Sequence, residues 1–110
     1  MKQWIRGGRV IDPACGRDEV GDVLIEDGVI AAVGSVPEGQ DAGEIIDAAG
    51  LVVAPGLVDM HTHMREPGFE EKETIATGTA AAARGGVTSV LAMGNTLPVT
   101  DSAERVEDIY

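Results

Sequence analysis

Apolar residues recur along the chain in short runs separated by glycine-rich breaks, and the runs change character near residue 55. Trp4-Ile5-Arg6, Gly7-Gly8 and Arg9-Val10-Ile11 have the form of a β-hairpin around a two-glycine turn. Asp22 to Glu26 and Val29 to Val33 flank Asp27-Gly28, a hairpin signal of the strongest short kind. Both turns need positive φ, which Gly adopts without steric cost. Gly34, Pro37, Gly39 and Gly43 punctuate a loop before Glu44-Ile45-Ile46-Asp47, and Leu51 to Ala54 follows as another strand. Residues 1–54 thus predict a small β-domain, the material of a sheet or sandwich.

After Pro55-Gly56 the pattern alternates between strand and helix. Leu57 to His63 reads as a strand ending in polar residues, and residues 72–84, rich in Thr and Ala, read as a helix after the Pro67-Gly68 turn. Gly85-Gly86 ends that helix, and Val87 to Met93 is a second buried-strand candidate. Asp101 or Ser102 caps a further helix running to Tyr110 with no terminating signal. Strand, helix, strand, helix is the opening of an α/β layer with parallel strands. Two such units over 55–110 cannot close a barrel, so the expectation is an N-terminal piece of a longer protein.

Composition narrows the class of function. The 110 residues carry 19 Asp plus Glu against 8 Lys plus Arg, a formal net charge of −11. Residues 1–17 are positive, with Lys2, Arg6, Arg9 and Arg17 against Asp12, and the acidic excess lies in the remainder. That charge repels phosphate backbones and anionic lipid, and 3% aromatic content leaves no stacking platform for single strands. Neither nucleic acid nor a membrane is the expected partner. Cys15 is the only cysteine, which excludes an internal disulfide and fits a reducing cytoplasm.

The chemistry concentrates in one triplet. His61-Thr62-His63 holds both histidines of the chain. On a strand, residues two apart point to one face, so the two imidazoles project together and suit a divalent metal such as Zn²⁺. Asp59 shares that face and is either an acceptor behind the ligands or a buried structural acid. Arg65 either holds a carboxylate bidentately or pairs with Glu66, Glu70 or Glu71 on the surface. Asn95 follows the second strand and either hydrogen-bonds the same anion or is a plain turn residue.

Asp59-Met60-His61-Thr62-His63-Met64-Arg65-Glu66-Pro67-Gly68 resembles the first signature of the dihydroorotase family, in the amidohydrolase superfamily. Val53-Ala54-Pro55-Gly56-Leu57-Val58 is similar to that superfamily's entry into its first barrel strand, and Gly85 to Val90 with Met93-Gly94-Asn95-Thr96-Leu97-Pro98 resembles the second-strand segment. Two positions depart from the family's pattern: Gly94, usually Pro, and Leu97, usually Asn. Gly94 is expected to loosen the loop that carries Asn95. Allantoinases, close relatives, typically have Asn at the position of Arg65 and lack the Asn-Thr pair.

The resemblance implies a (β/α)₈ TIM-like metallo-dependent hydrolase barrel preceded by a small β-sandwich domain, both incomplete here. It implies reversible hydrolysis of (S)-dihydroorotate to N-carbamoyl-L-aspartate in pyrimidine synthesis, with one or two Zn²⁺ activating water and polarising the ring carbonyl. His61 and His63 would ligate metal. His63, Met64 and Arg65 would line the substrate pocket, and Arg65 with Asn95 would hold the substrate carboxylate. The remaining ligands and the proton-transferring aspartate would lie beyond residue 110, so the chain alone is expected to be inactive. Self-association or a complex with aspartate carbamoyltransferase also fits the family. The alternatives are an inactive dihydroorotase-like scaffold for that transcarbamoylase and an allantoinase or hydantoinase.

Overall fold

Eleven consecutive residues, Lys2–Asp12, form the longest strand, β1, and four further strands pair with it or with its neighbour. The structure is a computed structural model and describes residues 1–36 and 43–109. Pro37 and Gly39 of the expected loop, and the end of the expected last helix at Tyr110, lie outside the described residues. The chain divides into two compact units, Met1–Pro55 and Gly56–Tyr110. Among the described residues no helix is long and apolar enough to cross a membrane.

The first unit is one mixed sheet. Strands β2 (Arg17–Glu26), β3 (Val29–Gly34), β4 (Glu44–Asp47) and β5 (Val52–Val53) join β1 in the order β3-β2-β1-β4, with β5 also on β1. The β1–β2 and β2–β3 pairs are antiparallel, whereas β4 and β5 run parallel to β1. Asp27 (φ 50°) and Gly28 (φ 81°) make the β2–β3 turn, both in the left-handed region that a two-residue hairpin turn of this hand requires. Trp4, Val10, Val23, Leu24 and Ala48 form the buried core of this sheet.

The expected hairpin at Gly7-Gly8 is not there. The chain runs straight through both glycines, and the turn falls instead after Asp12, where the Ala14 amide donates to Asp12 Oδ1 at 3.0 Å. Ile5 pairs with Val23 and Gly8 with Gly21, which leaves Arg6 and Gly7 together opposite Asp22. The glycine pair marks a β-bulge, with Gly7 at φ 68°. Asp22 fills the gap: its Oδ1 accepts from the Gly7 amide at 2.8 Å and its Oδ2 from Trp4 Nε1 at 3.1 Å. Gly8 is needed for a second reason. A Cβ there would lie 2.5 Å from Val53 Cγ2 and 3.1 Å from Ala48 Cβ, where the chain crosses from β4 to β5.

The second unit is two strands and two helices. Strand β6 (Leu57–Thr62) and β7 (Val87–Ala92) pair in parallel and are joined through helix α1 (Ile75–Arg84), a βαβ connection. Helix α1 starts three residues later than the sequence pattern suggests, because Thr74 and Thr77 close a capping box: each side chain takes the other's backbone amide. Gly85 caps it and Gly86, at φ 83°, turns the chain into β7. Strand β6 stops at Thr62, so His63 stands just beyond it. Helix α2 (Ala103–Glu107) is capped by Ser102 and ends at Asp108, short of the run to Tyr110 expected from its sequence.

The bulge generates a stability prediction. Asp22→Ala removes the acceptor of two half-buried donors and should lower unfolding free energy by about 1–3 kcal/mol. A urea midpoint that falls at unchanged slope reports this; an unmoved midpoint would mean that the bulge is held by other contacts.

Candidate functional site

The carboxyl ends of the parallel strands bring three of the sequence-predicted residues together, His61, His63 and Asn95. Parallel pairing places the residues after β6 beside those after β7, and the Met93 amide donates to the Thr62 carbonyl at 2.8 Å. Thr62 Oγ1 donates to the Leu91 carbonyl at 3.1 Å, so the two strand ends are tied on both sides of Thr62. His61 and His63 flank that tie. Their ring centroids are 5.1 Å apart with planes at 65°, an edge-on arrangement, and both residues are exposed.

The imidazole pair fits part of a zinc site. A tetrahedral zinc bonded at about 2.0–2.1 Å to two imidazole nitrogens sets their ring centroids roughly 5 Å apart, the separation found here. That spacing is also a relaxed one for edge-on rings, so the pair holds it without strain. Among the described residues no cluster of three or more His, Cys, Asp or Glu side chains surrounds a common point. Asp59 is exposed, not buried, and its Oδ1 accepts from the His61 backbone amide at 3.0 Å rather than from a ring. It steadies the strand end under His61.

Asn95 reaches His63. Its Oδ1 lies 2.8 Å from His63 Nδ1, a contact spanning 32 residues of sequence. The loop that carries Asn95 is tightly tied, contrary to the expectation from Gly94. Thr96 is buried, and its hydroxyl donates to the Pro98 carbonyl and meets Thr100 Oγ1, both at 2.7 Å. The Thr100 amide donates to the Gly94 carbonyl at 3.1 Å. A Cβ on Gly94 would lie 2.8 Å from the Thr100 carbonyl oxygen, so the absent side chain permits the close approach that closes the loop.

Arg65 is half-buried and adopts φ 63°, in the left-handed region unusual for a side-chain-bearing residue. That bend turns the chain from the strand end into the Glu66–Gly68 turn, and the Phe69 amide donates back to the Arg65 carbonyl at 2.9 Å. No ion pair among the described residues involves its guanidinium. Two of the neighbouring acids are engaged elsewhere: Glu66 Oε2 accepts from the Ile75 amide at 2.6 Å, and Glu70 Oε1 accepts from the Gly68 amide at 2.8 Å. The Ile75 amide is the first of α1 and would otherwise lack a partner.

Met64 turns the other way. It is buried, and its sulfur occupies the space above Gly78 in α1, where a Cβ would lie 2.6 Å from it. With Ile75, Val90, Met93 and Val106 it lines a cavity of 410 Å³ whose walls include neither histidine. Sequence reasoning missed two residues here. Glu66 as the partner of the first helical amide lies nine residues before it, beyond the reach of local capping rules, and Gly78 carried no local sign of the Met64 contact.

A family model described as dihydro-orotase-like matches residues 50–110. A protein named dihydroorotase from Geobacter sulfurreducens is 55% identical over 102 residues, covering 93% of this chain and 24% of that protein. Another of that name from Syntrophotalea carbinolica is 59% identical over 109 residues, covering 99% of this chain and 25% of that protein. The chain therefore spans about a quarter of the length of these relatives. Among solved structures, the L-hydantoinase (dihydropyrimidinase) of Arthrobacter aurescens superposes with a TM-score of 0.87 at 26% identity, over 98% of this chain and 24% of that one.

The turn leaving the histidine strand holds a carboxylate on a backbone amide. The Gly68 amide, followed by Glu70's own, holds the Glu70 carboxyl below the ordinary glutamate value of 4.5. A lowered carboxylate pKa stabilises the fold above the ordinary value and that contribution is lost as pH falls through the folded one. Exchange of the Gly68 amide, followed by NMR and corrected for intrinsic rate, should accelerate as pH drops below 4.5. A Glu70→Gln variant should lose that pH dependence.

Proposed function

The chain belongs to the dihydro-orotase-like family, and from that premise we propose that it forms the front of a zinc-dependent dihydroorotase. The reaction is reversible hydrolysis of the cyclic amide of (S)-dihydroorotate to N-carbamoyl-L-aspartate, in cytoplasmic pyrimidine synthesis. The observation that carries the reading is two imidazoles with ring centroids 5.1 Å apart, followed two residues later in the chain by an Arg65 that makes no ion pair among the described residues. A guanidinium without an acidic partner, so close in sequence to a candidate metal site, suits a substrate that bears a carboxylate. An uncharged hydantoin ring has no use for it, which favours dihydroorotate although a hydantoinase shares the fold.

Residues 1–54 are read as the small β-domain and 55–110 as the first two βα units of a (β/α)₈ barrel. Support comes from exposure on the parallel pair: Leu57 is 62% exposed, Val58 66% and Met60 72%. Apolar parallel strands are normally covered on both faces, as they are inside a closed barrel. The barrel reading also explains why the candidate residues gather at the carboxyl ends of the strands, where such barrels carry their active sites.

In this reading His61 and His63 supply two protein ligands, and zinc, when bound, supplies Lewis acidity toward water and the ring carbonyl. Arg65 binds the substrate carboxylate through two parallel N–H donors and so orients the ring against the histidines. Asn95 adds an amide donor to the same carboxylate. Met64 contributes its main chain, because its side chain serves the packing of α1. A catalytic zinc takes three protein ligands; on this reading the third, and the aspartate that moves the proton, would come from the part of the family's fold that residues 1–110 do not hold.

Two measurements test this. In a full-length enzyme carrying this chain, Arg65→Lys keeps the charge but loses the bidentate fork and should raise KM for dihydroorotate about 10-fold or more, with a smaller effect on kcat. An unchanged KM would overturn the carboxylate assignment. The purified 110-residue chain should show no zinc-dependent turnover of N-carbamoyl-L-aspartate, and measurable turnover would overturn the ligand count.

A further inference from the structure

We propose that Asn95 is a positioning residue that fixes the tautomer of His63, and that His63 in return fixes the rotation of the Asn95 amide. The inference rests on the reading of His63 as a metal ligand. A carboxamide oxygen has lone pairs and no proton, so the 2.8 Å contact with Asn95 Oδ1 requires the proton to sit on His63 Nδ1. The lone pair of the ring is then on Nε2, at the far side of the imidazole, where it is available to a cation. With the amide rotated by half a turn, Nδ2 would donate to Nδ1 instead. Nε2 would then carry the proton, and neither nitrogen could ligate. One amide orientation therefore gives a ligand and the other abolishes it.

The surroundings hold the backbone from which the amide projects. The Asn95 backbone is pinned between the Met93–Thr62 bond on one side and the buried Thr96 hydroxyl on the other. With Oδ1 turned toward His63, the two Nδ2 protons point away from the ring and remain for a ligand. Asn95 can therefore offer an anion donors while its oxygen holds the histidine. One side chain couples the orientation of a metal ligand to the polarity presented to the substrate. His61 differs: its backbone amide is held by Asp59, while its ring makes no hydrogen bond among the described residues. The two histidines are thus unequal, one preset and one free to adjust, which makes His61 an internal reference.

The test uses a full-length enzyme carrying this chain, labelled with ¹⁵N in its histidine rings, with the His61 and His63 signals assigned by substitution, and observed metal-free near pH 8. The expected result is a single Nδ1–H tautomer for His63 and exchange between both tautomers for His61. Asn95→Leu should release His63 into the same exchange, and Asn95→Asp, which keeps an acceptor, should restore the Nδ1–H form. Zinc titration should then show affinity about 10–100-fold weaker in Asn95→Leu than in the unaltered chain. Exchange at His63 in the unaltered chain, or a fixed tautomer that survives Asn95→Leu, overturns the proposal. Zinc that leaves the His63 ring shifts unmoved overturns the ligand reading, while a locked tautomer without metal still supports the positioning bond.

Discussion

Two hydrogen bonds around Thr62 hold the ends of β6 and β7 in register, and the chemistry of the second unit depends on them. They join residues 29 and 31 apart in sequence and set the distance between the histidine strand and the loop that carries Asn95. Parallel strands cannot be linked by a tight turn, so the intervening chain must leave the sheet, form α1 and return. The Arg65 bend, the Glu66 bond to Ile75 and the Thr74–Thr77 box are the successive devices that make that excursion. Each lies within 15 residues of His63. The site and the start of the crossover helix are one piece of structure.

The same economy shows in the use of carboxylates. Asp22, Asp59, Glu66 and Glu70 all accept from backbone amides that local irregularity would leave without partners. A bulge, a strand end, a helix start and a turn each expose a donor, and a nearby acid satisfies it. This employs part of a large acidic excess structurally. Glu66 and Glu70, engaged in this way, make no ion pair with Arg65 among the described residues. Had those acids paired with it, the arginine would be neutralised beside the imidazoles and would have little to offer an anion.

Legibility from sequence followed the range of the deciding contact. The Asp27-Gly28 turn was readable because its requirement, positive φ at two adjacent residues, is local. Gly7-Gly8 shows the same local signal, yet makes a bulge, because the residue that decides is Asp22 on the neighbouring strand. The nearness of His61 and His63 was suggested by their spacing, but His63 stands one residue beyond β6, where its ring also meets Asn95. Helix α1 was legible as an element but not at its first turn, where a threonine pair replaced the usual acidic capping pattern. The Gly94 loop was misread for a comparable reason. Glycine suggests looseness in isolation, and only the approach of Thr100 reveals it as a point of close packing.

Asn95 illustrates why a site residue can be named from sequence and still be misunderstood. Its placement after the second strand suffices to put it near the histidines, and an amide near an anion site invites the role of donor. The structure adds that its oxygen already has a partner. An amide bound at one end rotates little, so its remaining donors point in a fixed direction and lose less freedom when a ligand arrives. With the amide turned over, Nδ2 would face the ring and Oδ1 would face away from it. The contact between Asn95 and His63 therefore sets which way the amide presents its donors, and that orientation is a property of the pair rather than of either residue.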